Sequence, residues 1–213
     1  MKTKQLIELL TECSTPIGPR YVRNRFAAAI VGGLLMCTLL LVALLGVRSD
    51  ISSAMTTAAF WSKSLFGLFM LTGGVLVAAQ LSKPGQAVRG AWFGVISPIA
   101  VVAVGLIVDV KNSPDGTAWR LLSDQLWRRC PLDIALLSIP ALAALLHAMK
   151  PFAPTKLAVA GGVAGLVAGS IAVLAYSLRC PEVQMAFWGG RYLLGIAIPS
   201  AIGCIIGPRF LRW

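Results

Sequence analysis

The chain is 213 residues long, and 57% of them are hydrophobic while only 13% are charged. A soluble globular domain is closer to half apolar and a quarter charged, so this composition argues against one and indicates an integral membrane protein. The net charge is +11, from 19 basic and 8 acidic residues. Because the basic residues lie at the ends of apolar runs, they indicate membrane orientation rather than direct nucleic-acid binding.

Residues 1–25 are predicted to form a cytoplasmic segment that contains a short amphipathic helix. Its apolar side chains recur at helical spacing on one face and are Leu6, Ile7, Leu9, Leu10 and Cys13. A helix of three turns is marginal in water by itself, so it needs a surface to stabilise it. The pattern leaves open whether that surface is the groove of a partner protein or the inner face of the membrane.

Six apolar runs follow, and each is close to the roughly 20 residues that a helix needs to cross the hydrocarbon core of a bilayer. They are residues 26–47, 59–81, 90–110, 131–149, 156–177 and 186–207. Lipid offers no hydrogen-bonding partner for an open backbone, so each run is predicted to be helical. The expected fold is therefore an all-α integral membrane protein in which residues 26–213 form a bundle of six transmembrane helices. The first run is too long for the core of a signal peptide and is expected to remain as an anchor.

The distribution of Lys and Arg predicts the orientation of these helices. With the N-terminus inside, eleven basic residues fall on the inner side and seven on the outer side. The bias is clearest at the first run, where five basic residues precede it and only Arg48 directly follows it. The positive-inside rule therefore favours an arrangement in which both termini are cytoplasmic.

Small residues on the fifth run and prolines on three others give further expectations. Gly161, Gly165 and Gly169 are four apart, which lets a neighbouring helix approach closely. Three prolines lie inside apolar runs and are expected to kink them, namely Pro98, Pro140 and Pro199. Since broken helices also mark transporter sites, a small membrane transporter is the alternative function. Arg191 would be its intramembrane ionisable group, unless that side chain snorkels outward or pairs with an acid.

Cys130 and Cys180 occur in matching contexts, Arg129-Cys130-Pro131 and Arg179-Cys180-Pro181. Both are expected at the outer face near a helix start, where the helix end and the adjacent guanidinium favour the thiolate. Two such thiols can form a disulfide or jointly bind a soft metal ion. The spacing leaves open whether a bridge is structural or switchable. By contrast, Cys37 and Cys204 are interpreted as small buried hydrophobic residues.

The sequence has few of the side chains that enzymes use. It contains one histidine and eight acidic residues, and it shows no serine-histidine-acid set, zinc-protease motif or phosphate-binding loop. No enzymatic activity and no cofactor are therefore expected.

Several motifs together resemble the NrsF family (negative regulator of sigma F), whose members are six-helix membrane anti-sigma factors acting on extracytoplasmic-function sigma factors. The motifs are the N-terminal Leu-Ile-Glu-Leu-Leu helix with its proline break, the six apolar runs, the paired Arg-Cys-Pro stretches and the ending Gly207-Pro208-Arg209-Phe210-Leu211-Arg212-Trp213. The resemblance spans essentially the whole chain. One departure is Phe187-Trp188-Gly189-Gly190, where many relatives are expected to have a Trp-His pair. If that histidine takes part in sensing, this protein senses differently.

The resemblance implies an interaction protein of the bacterial inner membrane whose partners are an extracytoplasmic-function sigma factor and the lipid bilayer. The sigma-binding residues it implies are Leu6, Ile7, Leu9 and Leu10. Cys130 and Cys180 correspond to the cysteine pair that reports thiol or heavy-metal stress in the family, with Arg129 and Arg179 in support. The expected mechanism is a two-state bundle in which a bridge or a metal ion between the cysteines changes how the N-terminal helix is presented.

Overall fold

A computed structural model of the protein describes residues 19–46, 51–81, 90–112, 126–152, 156–180 and 185–212. Every regular element within these ranges is helical. In chain order they are α1 (Pro19–Leu40), α2 (Ile51–Ala54), α3 (Ala58–Leu81), α4 (Trp92–Asn112), α5 (Leu126–Met149), α6 (Leu157–Tyr176) and α7 (Met185–Phe210). A π-helical turn, Leu41–Leu45, continues α1, and a 3₁₀ turn, Lys150–Phe152, continues α5.

The six long helices coincide with the six predicted apolar runs, so the all-α prediction is confirmed. Five of them are long and apolar enough to cross a membrane, over Arg20–Leu45, Ala58–Leu81, Arg129–Phe152, Leu157–Tyr176 and Trp188–Phe210. The apolar stretch of α4, Phe93–Asp109, is shorter. The predicted amphipathic helix near the N-terminus lies outside the described residues. However, α1 begins at Pro19, seven residues before the first apolar run, because proline suits the first position of a helix.

Helix α6 is the centre of the bundle and is buried along most of its length. It packs most extensively on α7 and also contacts α1, α3 and α5. Small residues make this possible, as predicted: Gly161 lies directly against Gly203, and Gly165 lies against the carbonyl group of Pro199. The hydroxyl of Ser200 donates a hydrogen bond to the carbonyl oxygen of Gly162 at 2.9 Å, which adds a polar link between the two helices.

Helices α1 and α5 form the second close pair. Gly33 of α1 packs against Ala141 of α5, and the Cys37 thiol donates a hydrogen bond to the carbonyl oxygen of Leu137 at 2.9 Å. Cys37 is therefore buried, as predicted. The same prediction is wrong for Cys204, which is exposed on α7. Hydropathy cannot separate these two positions, because a lipid-facing residue is as apolar as a buried one.

Aromatic contacts join the start of α1 to the turn after α5, at the end of the bundle predicted to be inner. The ring of Phe152 stacks on Phe26 at 6.0 Å between centroids and meets Tyr21 edge-on at 6.4 Å. Arg25 lies 5.4 Å from the centroid of the Tyr21 ring, and Lys150 lies 5.7 Å from that of Phe210 at the end of α7. The start of α1 and the ends of α5 and α7 therefore share one end of the bundle.

Helix α4 runs antiparallel to α3 and reaches the opposite end. Gly73, in the second half of α3, packs directly on Gly94 near the start of α4. Further along α4, Val102 contacts Gly189 near the start of α7. Helix α4 therefore leads from the end where α3 finishes towards the end where α7 begins.

The substitution Gly165→Ala is expected to destabilise the bundle by about 1–3 kcal/mol, because the added methyl group would overlap the carbonyl group of Pro199. Gly32→Ala on α1 is the matched control, since no atom lies within 4 Å of the position its Cβ would take. Unfolding in mixed detergent micelles, followed by circular dichroism, compares the two. Equal stability of both variants would contradict the described packing of α6 on α7.

Candidate functional site

Polar side chains gather at the end of the bundle predicted to be outer, where α5 begins and α6 ends. We call this group the thiol cluster, and its members are Cys130, Tyr176, Cys180, Arg191 and Tyr192. Cys130 comes from α5, Tyr176 is the last residue of α6, Cys180 closes the turn that follows α6, and the other two lie on α7. Three chain segments, α5, the end of α6 with its following turn, and α7, thus meet around two sulfur atoms.

The two sequence-predicted cysteines are neighbours in space. Their thiols lie within hydrogen-bonding reach of each other, although some fifty residues separate them along the chain. Both are thiols rather than half-cystines in this structure. Cys130 is only 3% exposed, whereas Cys180 is partly accessible. The arrangement brings together two groups that can form a disulfide without a large movement of either helix.

Tyrosine side chains surround the two thiols. The Tyr176 side chain lies within hydrogen-bonding reach of Cys130, and its hydroxyl is 3.4 Å from a carboxylate oxygen of Asp133 one turn further along α5. The Tyr176 and Tyr192 rings meet edge-on at 6.4 Å, and Tyr192 lies beside Cys180. The neighbouring rings contribute to the burial of Cys130.

Two basic side chains in this region are buried rather than solvated. Arg191 is 1% exposed and lies within electrostatic range of Cys130, so the expectation that it snorkels outward is wrong. Lys63, near the start of α3, is 3% exposed, and its amine donates a hydrogen bond to the carbonyl oxygen of Cys180 at 3.1 Å. Charged groups rarely enter a membrane bundle without a partner, so both placements point to a role at this cluster.

The two arginines that precede the cysteines do different things. The Arg179 guanidinium donates to the carbonyl oxygen of Gly46 at 3.1 Å, where Gly46 closes the π-helical turn after α1 with a φ of +72°. Arg129 is exposed. Both lie within electrostatic range of Asp133. Their predicted support of the cysteines therefore remains a prediction.

Residues 10–213 match the family model described as NrsF, negative regulator of sigma F. This chain belongs to the NrsF family. Over the full length of both chains, it is 37% identical to the probable anti-sigma-F factor NrsF of Azospira oryzae and 32% identical to the anti-sigma-F factor NrsF of Caulobacter vibrioides. Both names describe regulators rather than enzymes. No solved structure matches the chain.

The sigma-binding residues predicted for this NrsF-family protein, Leu6, Ile7, Leu9 and Leu10, lie outside the described residues. The structure does show where the segment that carries them joins the bundle. That point is the start of α1, beside Phe152 and at the end opposite the thiol cluster. The thiol cluster and the point where residues 1–18 join the bundle are therefore separated by the length of the bundle.

The position of Cys130 differs from the sequence prediction in one respect. Helix α5 begins at Leu126, so Cys130 lies in its second turn rather than immediately before its first residue. Pro131 follows in the same turn, where its missing N–H removes the backbone hydrogen bond to the carbonyl group four residues earlier. The helix end therefore favours the Cys130 thiolate less than predicted, since that influence fades beyond the first turn.

Cys130 and Cys180 remain candidate ligands for a soft metal ion in this NrsF-family protein. Within the described ranges, no group of three or more His, Cys, Asp or Glu side chains is placed to hold a metal. An ion bound by this pair alone would have two thiolate ligands, which suits soft metals rather than zinc in a four-ligand site.

Sequence reasoning missed Lys63, Tyr176 and Tyr192. Each lies near the end of an apolar run, where such residues normally face the headgroup layer, so no local pattern distinguished them. Trp188 is a further case: tryptophans at the ends of apolar runs usually lie in the headgroup layer, but this side chain is 1% exposed and packs edge-on against Phe66 at 5.9 Å. Only the packing of α6 and α7 reveals that this end of the bundle encloses polar side chains.

Treatment of isolated membranes with diamide is expected to join Cys130 to Cys180, because the thiols already lie within reach of each other. Peptide mass spectrometry without reduction measures the bridged fraction. Cys204, which is exposed on α7, is the internal control and should be joined to neither residue. Full oxidation without a Cys130–Cys180 peptide would contradict the arrangement of the thiol cluster.

Proposed function

We propose that this NrsF-family protein is a multi-pass protein of the bacterial inner membrane that holds a sigma factor inactive through residues 1–25. It would release the sigma factor when the Cys130–Cys180 pair is oxidised or binds a heavy-metal ion. The observation that carries the proposal is the family match over residues 10–213, supported by full-length similarity to two proteins named as anti-sigma-F factors. From the resemblance, the partner is expected to be an extracytoplasmic-function sigma factor. The protein would act by binding, without catalysis or a cofactor.

In this proposal the chain crosses the membrane six times and both termini are cytoplasmic. The antiparallel course of α4 beside α3 supports the sixth crossing, and its apolar stretch of 17 residues is at the lower limit for a spanning helix. Basic residues at the shared end of α1, α5 and α7 support the orientation, namely Arg20, Arg23, Arg25, Lys150 and Arg209.

Helix α5 provides a physical route from the thiol cluster to the sigma-binding segment. It carries Cys130 at one end, and it packs along α1 through the Ala141–Gly33 contact. In the turn that continues its other end, the Phe152 ring stacks on Phe26, seven residues after the start of α1 at Pro19. If formation of the Cys130–Cys180 disulfide moved α5, the movement would therefore change its contacts with the start of α1, where the N-terminal segment joins the bundle.

Converting a population from mostly sigma-bound to mostly released needs roughly 5.5 kcal/mol of differential stability between the two folded states. The chain-entropy effect of a disulfide acts on the unfolded chain and does not supply this difference. In the proposal the bridge acts instead by excluding those arrangements of the bundle in which the two sulfur atoms are apart.

A transporter is the alternative from the sequence, but no specific observation favours it. The cavity between α3, α4 and α7 has a volume of about 380 Å³ and is lined mainly by apolar side chains, among them Phe66, Phe69, Val101, Val102 and Trp188. A polar substrate would need polar groups at that depth. The cavity therefore does not resemble the midplane site that a transporter of polar substrates requires.

Detergent extracts of the full-length protein from its own cells are expected to contain a co-purifying sigma factor. The double substitution Leu6→Glu and Leu10→Glu should reduce its recovery at least about tenfold, because two charges would enter the predicted apolar face. The control is Gln5→Glu with Thr11→Glu, which adds the same charge to the predicted polar face. Immunoblotting or mass spectrometry of the eluate gives the recovery. Absence of any sigma factor from the wild-type eluate would overturn the proposed function.

The substitution Cys130→Ser is expected to abolish release of the sigma factor under thiol oxidants or cadmium, because one thiol cannot form the bridge or the two-thiolate metal site. A reporter driven by the sigma-dependent promoter measures release in cells. Cys204→Ser, which removes an exposed thiol on α7, should leave the response intact. Normal induction in the Cys130→Ser strain would exclude the sensing step while leaving sigma binding untouched.

A further inference from the structure

The turn that carries Cys180 is fixed on several sides. Within the chain, the Cys180 N–H donates to the carbonyl oxygen of Tyr176 at 3.2 Å, and the Ser177 N–H donates to that of Val173 at 2.9 Å. These bonds extend the last turn of α6 and seat residues 177–180 on its end. The turn is therefore an ordered extension of α6 rather than an independent loop.

Lys63 holds the same turn from α3. Its amine donates to the Cys180 carbonyl oxygen at 3.1 Å, and the side chain is almost completely buried. One turn further along α3, Phe66 contacts Trp188, and the Trp188 ring meets Tyr192 at 5.5 Å. Helices α3 and α7 thus enclose the Cys180 turn together.

The burial of Lys63 is not explained by membrane orientation. A lysine near the end of a spanning helix normally extends its amine into water, where its charge is solvated. Lys63 instead directs the amine into the bundle, and the free energy of desolvation has to be offset by its hydrogen bonds. Its partner there is the backbone of one of the two cysteines, which links the burial to the thiol pair.

Arg179 holds the turn from the opposite side, because its guanidinium donates to the Gly46 carbonyl oxygen at the end of α1. The Cys180 turn is therefore held between α3 and α1 by two hydrogen bonds from basic side chains to backbone carbonyl groups. Hydrogen bonds of this kind are stronger than those between neutral groups. Together they restrict where the Cys180 thiol can lie relative to Cys130.

We propose that Lys63 is a positioning residue for the cysteine pair: by holding the Cys180 carbonyl group, it keeps the Cys180 thiol opposite Cys130 and favours the disulfide over the dithiol. This inference rests on the proposed switchable pair.

With glutathione disulfide as oxidant, the two protein thiols lose two electrons and two protons and form one S–S bond. The S–S bond of the oxidant breaks, and two glutathione thiols receive the same electrons and protons.

The test is the redox equilibrium of the full-length protein in its native membranes. Membranes are equilibrated with a series of reduced and oxidised glutathione mixtures, quenched by alkylation, and analysed by mass spectrometry for the bridged fraction of Cys130 and Cys180. The variants are Lys63→Met, which removes the donor but keeps the length of the side chain, and Lys63→Arg, which keeps a donor. Lys111→Met is the matched control, since Lys111 is an exposed lysine near the end of α4.

Lys63→Met is expected to lower the equilibrium constant for bridging at least about tenfold, which corresponds to a reduction potential higher by about 30 mV. Lys63→Arg should stay within about threefold of wild type, and Lys111→Met should match wild type. A residue that only stabilises the fold would change the unfolding midpoint and leave this equilibrium unaltered. An equilibrium constant in Lys63→Met within about twofold of wild type, or an equal shift in Lys111→Met, would overturn the proposal.

A second variant keeps the proposal testable if Lys63→Met does not accumulate in membranes. Arg179→Gln removes the hydrogen bond to Gly46 and is expected to shift the equilibrium in the same direction, whereas an unchanged equilibrium would then overturn the proposal. Sigma-factor recovery with the reduced wild-type protein is scored in parallel. If sigma-factor recovery fails but the thiol–disulfide equilibrium shifts in Lys63→Met, only the proposed function is overturned. If recovery is normal but that equilibrium does not shift, only the role of Lys63 is overturned.

Discussion

The backbone contact between α6 and α7 is the constraint on which the rest of the bundle depends. Gly161 and Gly165 allow α7 to approach α6 so closely that a single added methyl group would meet its backbone. Because lipid does not drive apolar helices together, such close packing is a main source of helix association in membranes. The same contact aligns Tyr176 at the end of α6 with Tyr192 near the start of α7. The positions of the two tyrosines in the thiol cluster therefore depend on the close glycine contacts elsewhere between α6 and α7.

The two ends of the bundle differ in chemistry. One end is joined by aromatic rings and exposed basic side chains, with Phe152 between Tyr21 and Phe26. The other end holds buried basic groups, Lys63 and Arg191, beside two thiols. Buried polar groups are costly in a membrane and are retained where they serve a function. This asymmetry separates the proposed sensing end from the end where the proposed sigma-binding segment joins α1.

The sequence predicted the helices well because spanning a bilayer imposes a length and a composition on each run. The matching Arg-Cys-Pro contexts also drew attention to Cys130 and Cys180, which the structure places side by side and whose role stays a prediction. The sequence could not predict Lys63, Trp188 or the exposure of Cys204. Hydropathy reports only that a side chain is apolar or near a run end, not whether it faces lipid or another helix. That distinction arises from how α6 and α7 pack against their neighbours.

The unequal accessibility of the two thiols has a consequence for the order of chemical events. Cys180 is partly accessible, whereas Cys130 is buried. If the pair is the sensor, a disulfide oxidant reacts first with Cys180 to form a mixed disulfide and release one thiol, and the Cys130 thiolate then attacks the Cys180 sulfur, forms the bridge and releases the second thiol. A metal ion would likewise bind Cys180 first and then Cys130, with loss of both thiol protons. An adduct too bulky to turn inward would stop at Cys180. The burial of Cys130 would thus act as a filter that passes small reactive species and arrests large ones before a signal is generated.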